Sequence, residues 1–226
     1  DIGTTNMKAV ILSNEGRVIA HNSIKTPKKM KNGGQGKIYV PDKLWLNFKT
    51  LLKDTINKGE SQKRIVSLSI SSMGEAGLFL DENNKPLTPI ISWDDQRSKA
   101  MVQKVKEHYS KEELFKKTGL HLSNSYSLIK ILWLLDRNKN LRRKINQWVF
   151  LPDYLAFKLT GKVKTSYSIA GRSMLFNTEY NKWDDEIIRK FRLNNKWFPE
   201  VQWPGQTIGE VNGQLTQQYN IKSGIT

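Results

Sequence analysis

Apolar and polar positions follow two different periods along this chain, and together they predict both strands and helices. Short apolar runs bounded by turn residues indicate strands. These runs are residues 7–12, 18–20, 65–70, 78–80 and 90–93. The first two flank a turn that contains Asn14 and Gly16, residues that accept the unusual backbone angles of tight turns, so we predict a hairpin there.

Apolar residues at helical spacing predict a series of helices. Pro41 suits the first turn of a helix and Gly59 suits a helix end, so the first helix is predicted between them. Further helices are predicted over residues 95–109, 111–117, 127–138 and 152–161. From residue 197 onward, scattered Pro and Gly favour less regular structure. A hairpin followed by alternating helices and strands indicates one α/β domain with a mixed sheet.

Residues 31–37 are rich in glycine, and we predict a flexible loop there. The Gly36-Lys37 pair is superficially similar to the end of a nucleotide-binding P-loop. That motif needs a glycine at the place of Lys31 and a Ser or Thr at the place of Ile38, so the P-loop is excluded.

Composition narrows the class of protein. The 226 residues include no cysteine, which excludes a disulfide framework, a thiolate zinc site and a cysteine nucleophile. A hydrophobic fraction of 38% and seven Trp argue against intrinsic disorder. No apolar run approaches the ~18 residues of a membrane span, and the first residues lack the layout of a signal peptide. We therefore expect no membrane partner and a cytoplasmic location.

The net charge of +16 is distributed unevenly along the chain. Residues 2–37 contribute +6 and residues 137–172 contribute +8. Such runs are usually solvated faces, and a face that attracts anionic small molecules stays open. Nucleic-acid binding would favour aromatic residues among the cations, whereas Trp133 and Trp148 lie in apolar surroundings. We expect no nucleic-acid partner; the alternative, a basic nucleic-acid-binding module, would bind duplex with a steep salt dependence.

The opening segment of the chain has the residue types of a phosphate site. It brings together a carboxylate, a glycine turn, two hydroxyls and a lysine, in Asp1, Gly3, Thr4, Thr5 and Lys8. Glycine lets the backbone approach an anion, hydroxyl groups donate to phosphate oxygens, and lysine supplies a positive charge. A carboxylate can hold Mg²⁺ directly or through water. On these residues alone, an ordinary turn with local side-chain hydrogen bonds is the alternative.

Residues 1–5, Asp-Ile-Gly-Thr-Thr, followed by Lys8, resemble the first phosphate motif of the FGGY carbohydrate kinases, which belong to the actin-like ATPase superfamily. The resemblance implies an α/β, actin-like ATPase (ribonuclease H-like) domain, with a mixed β-sheet and helices on both faces. It also implies ATP and Mg²⁺ as cofactors. Asp1 is then the catalytic and metal-binding candidate, while Thr4, Thr5 and Lys8 are expected to face the phosphates of ATP.

Residues 70–81 resemble the strand, substrate loop and second strand of the same family. Glycerol kinases have an Arg-Glu pair in this loop that binds polyol hydroxyls; Glu75 matches the glutamate, but Gly74 takes the place of the arginine. Xylulose kinases have Met-His at these positions, which this chain also lacks. Because a carboxylate can accept two hydroxyl donors at once, Glu75 is expected to bind substrate. Glu75 in an ordinary surface loop is the alternative.

Residues 89–97 resemble the segment in which the family lines its sugar site with a tryptophan. Trp93 would offer an apolar face to sugar carbons, and Asp94 and Asp95 could accept hydrogen bonds from sugar hydroxyls. Aspartate also caps helix N-termini, and a helix is predicted to begin near Gln96. We expect one aspartate to cap this helix and the other to meet the substrate.

Residues 118–136 follow a further family signature. The last position of that signature falls on the next residue, Arg137, which departs from it. Lys130 and Trp133 are at helical spacing, so most of this segment is expected to be a packed amphipathic helix. The residues before the helix are candidates for substrate contact, chiefly Asn124, Ser125 and Tyr126. Four later stretches also resemble the family and are expected to be structural, namely residues 151–154, 159–161, 165–168 and 176–177.

The resemblance covers essentially the whole chain and implies that residues 1–226 are an N-terminal sugar-binding domain. In the family, a catalytic aspartate and then a nucleotide domain follow this region. We therefore expect the general base to lie beyond residue 226, and these residues alone to be inactive. The implied partner is a small-molecule sugar, sugar acid or polyol, whose identity stays open, as does a homodimer. A non-enzymatic actin-like nucleotide-binding domain is the rival, and Glu75→Ala should lower sugar affinity only in a kinase.

Overall fold

The computed structural model describes residues 1–59 and 65–218, which contain both helices and short strands. The helices are α1 (Pro41–Gly59), α2 (Met101–Lys106), α3 (Lys111–Thr118), α4 (Ser127–Arg137), α5 (Leu151–Thr160), α6 (Tyr167–Ala170), α7 (Asp185–Lys190) and α8 (Gly213–Gln218). The strands are β1 (Asn6–Leu12), β2 (Val18–Lys25), β3 (Lys28–Lys31), β4 (Gly36–Tyr39), β5 (Gly77–Leu80), β6 (Ile90–Ile91), β7 (Gln147–Phe150), β8 (Lys164–Ser166), β9 (Phe176–Asn177), β10 (Lys182–Trp183) and β11 (Glu200–Gln202).

Both antiparallel and parallel pairing occur among the strands. The largest sheet has the order β3-β4-β6-β5-β7, and each of its neighbouring pairs is antiparallel. The predicted hairpin is confirmed as the antiparallel pair β1–β2, and β9–β10 is a second such pair. Parallel pairing joins β8 to β11, and a single parallel bridge joins Ile2 to Ser72.

The prediction of a strand over residues 65–70 is wrong. No strand is assigned there, and Val66 is 68% exposed. Among the described residues, backbone pairing begins only one residue later, where Ile2 donates to the Ser71 carbonyl at 2.8 Å and accepts from the Met73 N–H at 2.9 Å. A strand needs a neighbour for its backbone groups. Within the described chain, residues 65–70 have no such neighbour, so their apolar pattern alone does not form a strand.

The loop predicted over residues 31–37 is shorter in the structure, where only residues 32–35 lie between two strands. β3 and β4 form an antiparallel hairpin there, joined by a 3₁₀ turn in which Gly33 and Gly34 have φ angles of 61° and 91°. Glycine adopts such angles without steric strain. A distant segment holds the hairpin in place, because the Lys37 ammonium forms an ion pair with Asp94 at 2.7 Å.

Most of the predicted helices are confirmed, and α1 begins and ends at the predicted Pro41 and Gly59. α2 is the exception, because it begins at Met101 instead of residue 95. Its N-cap residue is Ala100, so neither predicted aspartate caps this helix. The tail that was predicted to be less regular still contains β11 and α8.

The hydrophobic core lies on both faces of the five-stranded sheet. Successive side chains of a strand point to opposite faces. Accordingly, Phe79 of β5 belongs to one buried cluster, with residues of α2, α4 and α7, while Leu78 and Leu80 belong to another, with residues of α1 and α5. Helices therefore cover both faces of the sheet. No helix in the described ranges is long and apolar enough to cross a membrane.

The register between β5 and β6 brings two loops together. Gly77, the first residue of β5, pairs with Ile91, the last residue of β6. The loop that precedes β5 therefore lies beside the loop that follows β6. A Cβ atom on Gly77 would lie 2.5 Å from Cζ2 of Trp148, so glycine is required for the strand to pass this indole ring.

Candidate functional site

A cavity of about 290 Å³ lies where these two loops meet. Four segments form its wall: the loop before β5, the loop after β6, the segment before α4 and the segment after α6. Its lining residues are Met73, Gly74, Glu75, Trp93, Ser125 and Arg172. The cavity thus combines a carboxylate, a cation and an aromatic face, which are the groups that recognise hydroxylated molecules.

Glu75 is the buried acid of the cavity, with only 2% of its surface exposed. Its backbone has a φ of 62°, in the left-handed region that non-glycine residues rarely adopt, and such strain concentrates at functional sites. Oε2 accepts a hydrogen bond from the Ser127 hydroxyl at 3.0 Å. Oε1 has no hydrogen-bond partner among the described residues.

Burial raises the pKa of Glu75 to about 7, while attraction to Lys130 and the hydrogen bond from Ser127 oppose this rise. Lys130 lies on α4 and is fully buried. Its ammonium donates to the Ser125 carbonyl, which fastens the segment before α4. Burial lowers the pKa of Lys130 to about 8, opposed by the attraction of Glu75. Burial therefore brings both pKa values closer to neutrality than those of the free side chains.

Trp93 connects the cavity to the start of the chain. Its indole is 41% exposed, and its Nε1 donates to Oγ1 of Thr4 at 3.1 Å. The same Thr4 hydroxyl lies 3.7 Å from the sulfur of Met73, another lining residue. The predicted phosphate turn and the predicted sugar residues are therefore neighbours in space.

The turn at residues 1–8 has a fixed backbone geometry. The Gly3 N–H donates to the Asn6 carbonyl at 2.9 Å, and a Cβ on Gly3 would lie 2.8 Å from that same oxygen. Only glycine fits this closure without displacing the backbone. The Thr26 hydroxyl also donates to the Gly3 carbonyl at 2.7 Å. The turn is thus held by a hydrogen bond within its own backbone and by a hydroxyl group from the residue that follows β2.

Three of the predicted phosphate residues, Asp1, Thr5 and Lys8, are exposed beside this turn. Among the described residues, no three His, Asp or Glu side chains cluster as ligands for a metal ion. Mg²⁺ is commonly held by one or two carboxylates together with phosphate oxygens and water, so the single accessible carboxylate of Asp1 fits this ion.

The two aspartates after Trp93 are engaged with cations of the protein. Asp94 accepts from the Lys37 ammonium at 2.7 Å and from the Ser92 hydroxyl at 2.7 Å. Burial raises the pKa of Asp94, but these two hydrogen bonds and the attraction of the Lys28 and Lys37 charges together hold it below its usual value. Asp95 is fully buried and accepts from the Arg97 guanidinium at 2.6 Å. Because Asp95 also accepts two backbone N–H groups, its oxygens are largely used inside the protein.

Tyr126 is the N-cap residue of α4 and packs against the core, outside the set of residues that line the cavity. Its neighbour Ser125 is the one that reaches the lining. Sequence reasoning missed Arg172 and the bond from Ser127 to Glu75. Arg172 had one local signal, because it is the only charged residue in the run of small and apolar residues 168–176.

A larger cavity, of about 500 Å³, lies elsewhere, between residues 67–72, α5 and residues 202–211. It is lined by Asp153, a carboxyl group that is only 6% exposed and whose Oδ2 has no hydrogen-bond partner among the described residues. Burial raises the pKa of Asp153 to about 8.

The profile of the N-terminal domain of the FGGY family of carbohydrate kinases matches residues 1–226. The chain belongs to this family. The family and the fold class that the sequence motifs predicted are thereby confirmed.

Curated members of the FGGY family are similar to this chain along most of its length. L-fuculokinase from Haemophilus influenzae is 26% identical over 98% of this chain and 48% of its own length. Gluconokinase from Bacillus subtilis is 32% identical over 84% of this chain and 36% of its own. Glycerol kinase from Thermococcus onnurineus is 30% identical over 95% of this chain and 44% of its own. The chain thus spans about half the length, or less, of these relatives.

Solved structures of FGGY kinases share the fold. Gluconate kinase from Lactobacillus acidophilus superposes with a TM-score of 0.92 at 22% identity, covering 99% of this chain and 45% of that protein. Glycerol kinase with ADP from Plasmodium falciparum gives a TM-score of 0.89 at 23% identity, covering 99% and 46%.

Proposed function

We propose that residues 1–226 are the sugar-binding, N-terminal domain of a cytoplasmic kinase that transfers a phosphoryl group from ATP to a hydroxyl of a sugar, sugar acid or polyol. The observation that carries this proposal is the hydrogen bond from Trp93 to Thr4, which joins the cavity to the phosphate turn. Phosphoryl transfer requires the two substrates to be held side by side. The names of the relatives, fuculokinase, gluconokinase and glycerol kinase, support a carbohydrate acceptor.

At the phosphate turn, the proposed roles follow from exposure and charge. Asp1 would hold Mg²⁺ and take part in catalysis through that ion, which neutralises charge on the phosphates when bound. Thr4 and Thr5 would donate hydroxyl hydrogen bonds to phosphate oxygens. Lys8 would supply a positive charge from the first strand of the hairpin.

In the cavity, Glu75 would accept a hydroxyl hydrogen bond at Oε1, and Trp93 would cover the carbon face of the sugar. Asp94 lies outside the set of lining residues and would accept a further hydroxyl at Oδ1, which accepts one hydrogen bond from Ser92. We assign Asp95 an indirect part, since it holds the loop through Arg97 and β4. Tyr126 would shape the entrance from the start of α4.

The experiment is a binding titration of the 226-residue chain, followed by NMR, with glycerol, xylitol, xylulose, fuculose and gluconate. We expect at least one of them to bind, and Glu75→Gln to weaken that binding roughly tenfold or more, as loss of a charge-assisted hydrogen bond does. Glu179→Gln, which changes an exposed glutamate, is the matched control and should leave binding unchanged.

The same titration separates the rival function. A non-enzymatic nucleotide-binding domain would bind a magnesium complex of a non-hydrolysable ATP analogue but none of the sugars or polyols. In such a domain, Glu75→Gln would leave the binding of the ATP analogue unchanged. That pattern would overturn the proposed kinase function.

A further inference from the structure

Arg172 reaches the sugar cavity from a segment remote in sequence. It follows α6, and it lines the cavity together with Glu75 and Trp93. A Cβ atom on Gly74 would lie 3.2 Å from both Cδ and Nε of Arg172. The Arg172 side chain therefore lies directly over Gly74 and uses the space that a side chain at position 74 would need.

Three other cations near the cavity are already engaged. Lys37 forms an ion pair with Asp94 at 2.7 Å, and Arg97 forms one with Asp95 at 2.6 Å. Lys130 is buried and donates to a backbone carbonyl. Each of these cations thus has an acceptor inside the protein.

Arg172 differs from these cations. Its side chain is exposed, and among the described residues its guanidinium forms neither an ion pair nor a hydrogen bond. Its charge acts on Glu75 only through space. Among the residues that line the cavity, Arg172 is therefore a cation whose N–H donors have no acceptor within the described part of the protein.

A guanidinium has a planar fork of N–H donors that matches the two oxygens of a carboxylate. We propose that Arg172 is a substrate-binding residue that pairs with the carboxylate of a sugar acid, whose hydroxyls are held by Glu75 and whose carbons lie on Trp93. This inference rests on the proposed function and narrows its substrate class. Gly74 takes part by leaving room for the Arg172 side chain.

The test uses matched pairs of ligands that differ only at one terminal carbon: gluconate and glucitol, xylonate and xylitol, glycerate and glycerol. Each is titrated into the 226-residue chain at equal ionic strength, and the dissociation constant is measured by NMR. We expect at least one acid to bind roughly ten- to a hundredfold more tightly than its polyol, the range of a charge-assisted bidentate pair.

Substitutions then assign that preference to Arg172. Arg172→Gln should remove the preference for the acid and change the affinity for the polyol less than about twofold, since the glutamine amide can still donate a hydrogen bond to a neutral hydroxyl. Arg172→Lys should retain part of the preference for the acid, because lysine keeps the positive charge but lacks the planar pair of N–H donors. Arg143→Gln, an exposed arginine of the segment after α4, is the matched control and should have no effect.

Gly74→Ala supplies an independent variant. Its Cβ would press on Cδ and Nε of Arg172 at 3.2 Å and should weaken binding of the acid several-fold. In the Arg172→Gln background, where a shorter side chain lies over residue 74, the same substitution should have little further effect. Additive effects of the two substitutions would contradict the inferred role of Gly74, which is to leave room for the Arg172 side chain.

The outcomes separate this inference from the function on which it rests. If polyols bind as tightly as their acids, or if Arg172→Gln leaves the preference for the acid intact, then Arg172 does not bind the carboxylate of the substrate. The proposed kinase function would still stand. If no member of any pair binds the unmodified chain, the proposed function fails, and this inference fails with it.

Discussion

At the scale of single residues, Glu75 is the most unusual group of the cavity. It is a carboxyl group that is buried, strained at φ 62° and left with one unpaired oxygen. A protein gains no stability from that combination, because an unpaired buried polar atom costs free energy. A ligand hydroxyl that donates to Oε1 would relieve the cost, so the arrangement is suited to binding.

Polyol binding should therefore depend on the protonation of Glu75. Since burial raises its pKa to about 7, the carboxylate form increases as the pH rises through that value. A carboxylate accepts hydroxyl hydrogen bonds more strongly than a neutral acid. We expect the affinity for a neutral polyol to increase several-fold between pH ~6 and ~7.5.

The measurement is a series of NMR titrations with that polyol across this pH range. In Glu75→Gln the affinity should be lower and independent of pH. A slope of the same size in that variant would mean that another group controls the binding.

At the scale of elements, the sequence predicts a helix or strand accurately when the residues that determine it lie within that element, and poorly when distant residues determine it. α1 was predicted to the residue, since Pro41 and Gly59 act on their own turns. The hairpin of β3 and β4 was missed, because a distant ion pair to Asp94 orders a segment whose composition is typical of a loop. Arg172 was missed for the same reason, as its position over Gly74 depends on two segments that only the fold brings together.

Residues 65–70 show the opposite error, an apolar pattern without a partner strand. Amides that lack a ladder partner exchange rapidly with solvent. In hydrogen-exchange mass spectrometry of the 226-residue chain, we expect peptides covering residues 66–70 to exchange far faster than peptides from β5 and α4. Equal protection in these peptides would show that residues 66–70 are paired in solution.

A substitution at Gly77 tests whether the close packing of β5 against the Trp148 ring holds the site in position. Its Cβ would lie 2.5 Å from the Trp148 ring, so Gly77→Ala must displace either β5 or the indole. We expect a loss of about 1–3 kcal/mol in the free energy of unfolding, as overpacking of a core causes. Chemical denaturation measures it.

Gly213→Ala is the matched control for that substitution, because a Cβ there meets nothing within 4 Å. Gly213 begins α8, so alanine should leave stability unchanged or raise it slightly. An equal loss in both variants would exclude the contact with Trp148 as the cause.

At the scale of the whole molecule, buried acids set the pH dependence of stability. Burial raises the pKa of Asp153 from 3.8 to about 8, so between these values the folded chain binds more protons than the unfolded chain. Asp153 therefore makes the folded chain more stable at low pH than at high pH. As the pH rises from ~4 to ~8, Asp153 should lower the free energy of unfolding by up to about 1.4 kcal/mol per pH unit.

Asp153→Asn isolates this contribution, because asparagine is neutral throughout. The variant and the original chain should be of similar stability near pH 4, and the variant should be more stable near pH 8. Denaturation at several pH values provides the difference curve, and Asp54→Asn, which changes an exposed aspartate, is the control. A flat difference curve would show that Asp153 titrates in the folded protein as it does in the unfolded one.

The pairing of Gly77 with Ile91 has a consequence for changes in chain length. Glu75 lies two residues before one member of that pair, and Trp93 lies two residues after the other. One residue inserted between residues 75 and 77, or between residues 91 and 93, would shift Glu75 or Trp93 relative to that pair. Insertions at the turn of residues 81–86, beyond the far end of β5, would leave this spacing intact. Loop grafting between relatives should therefore preserve the short connections 75–77 and 91–93 and exchange the turn instead.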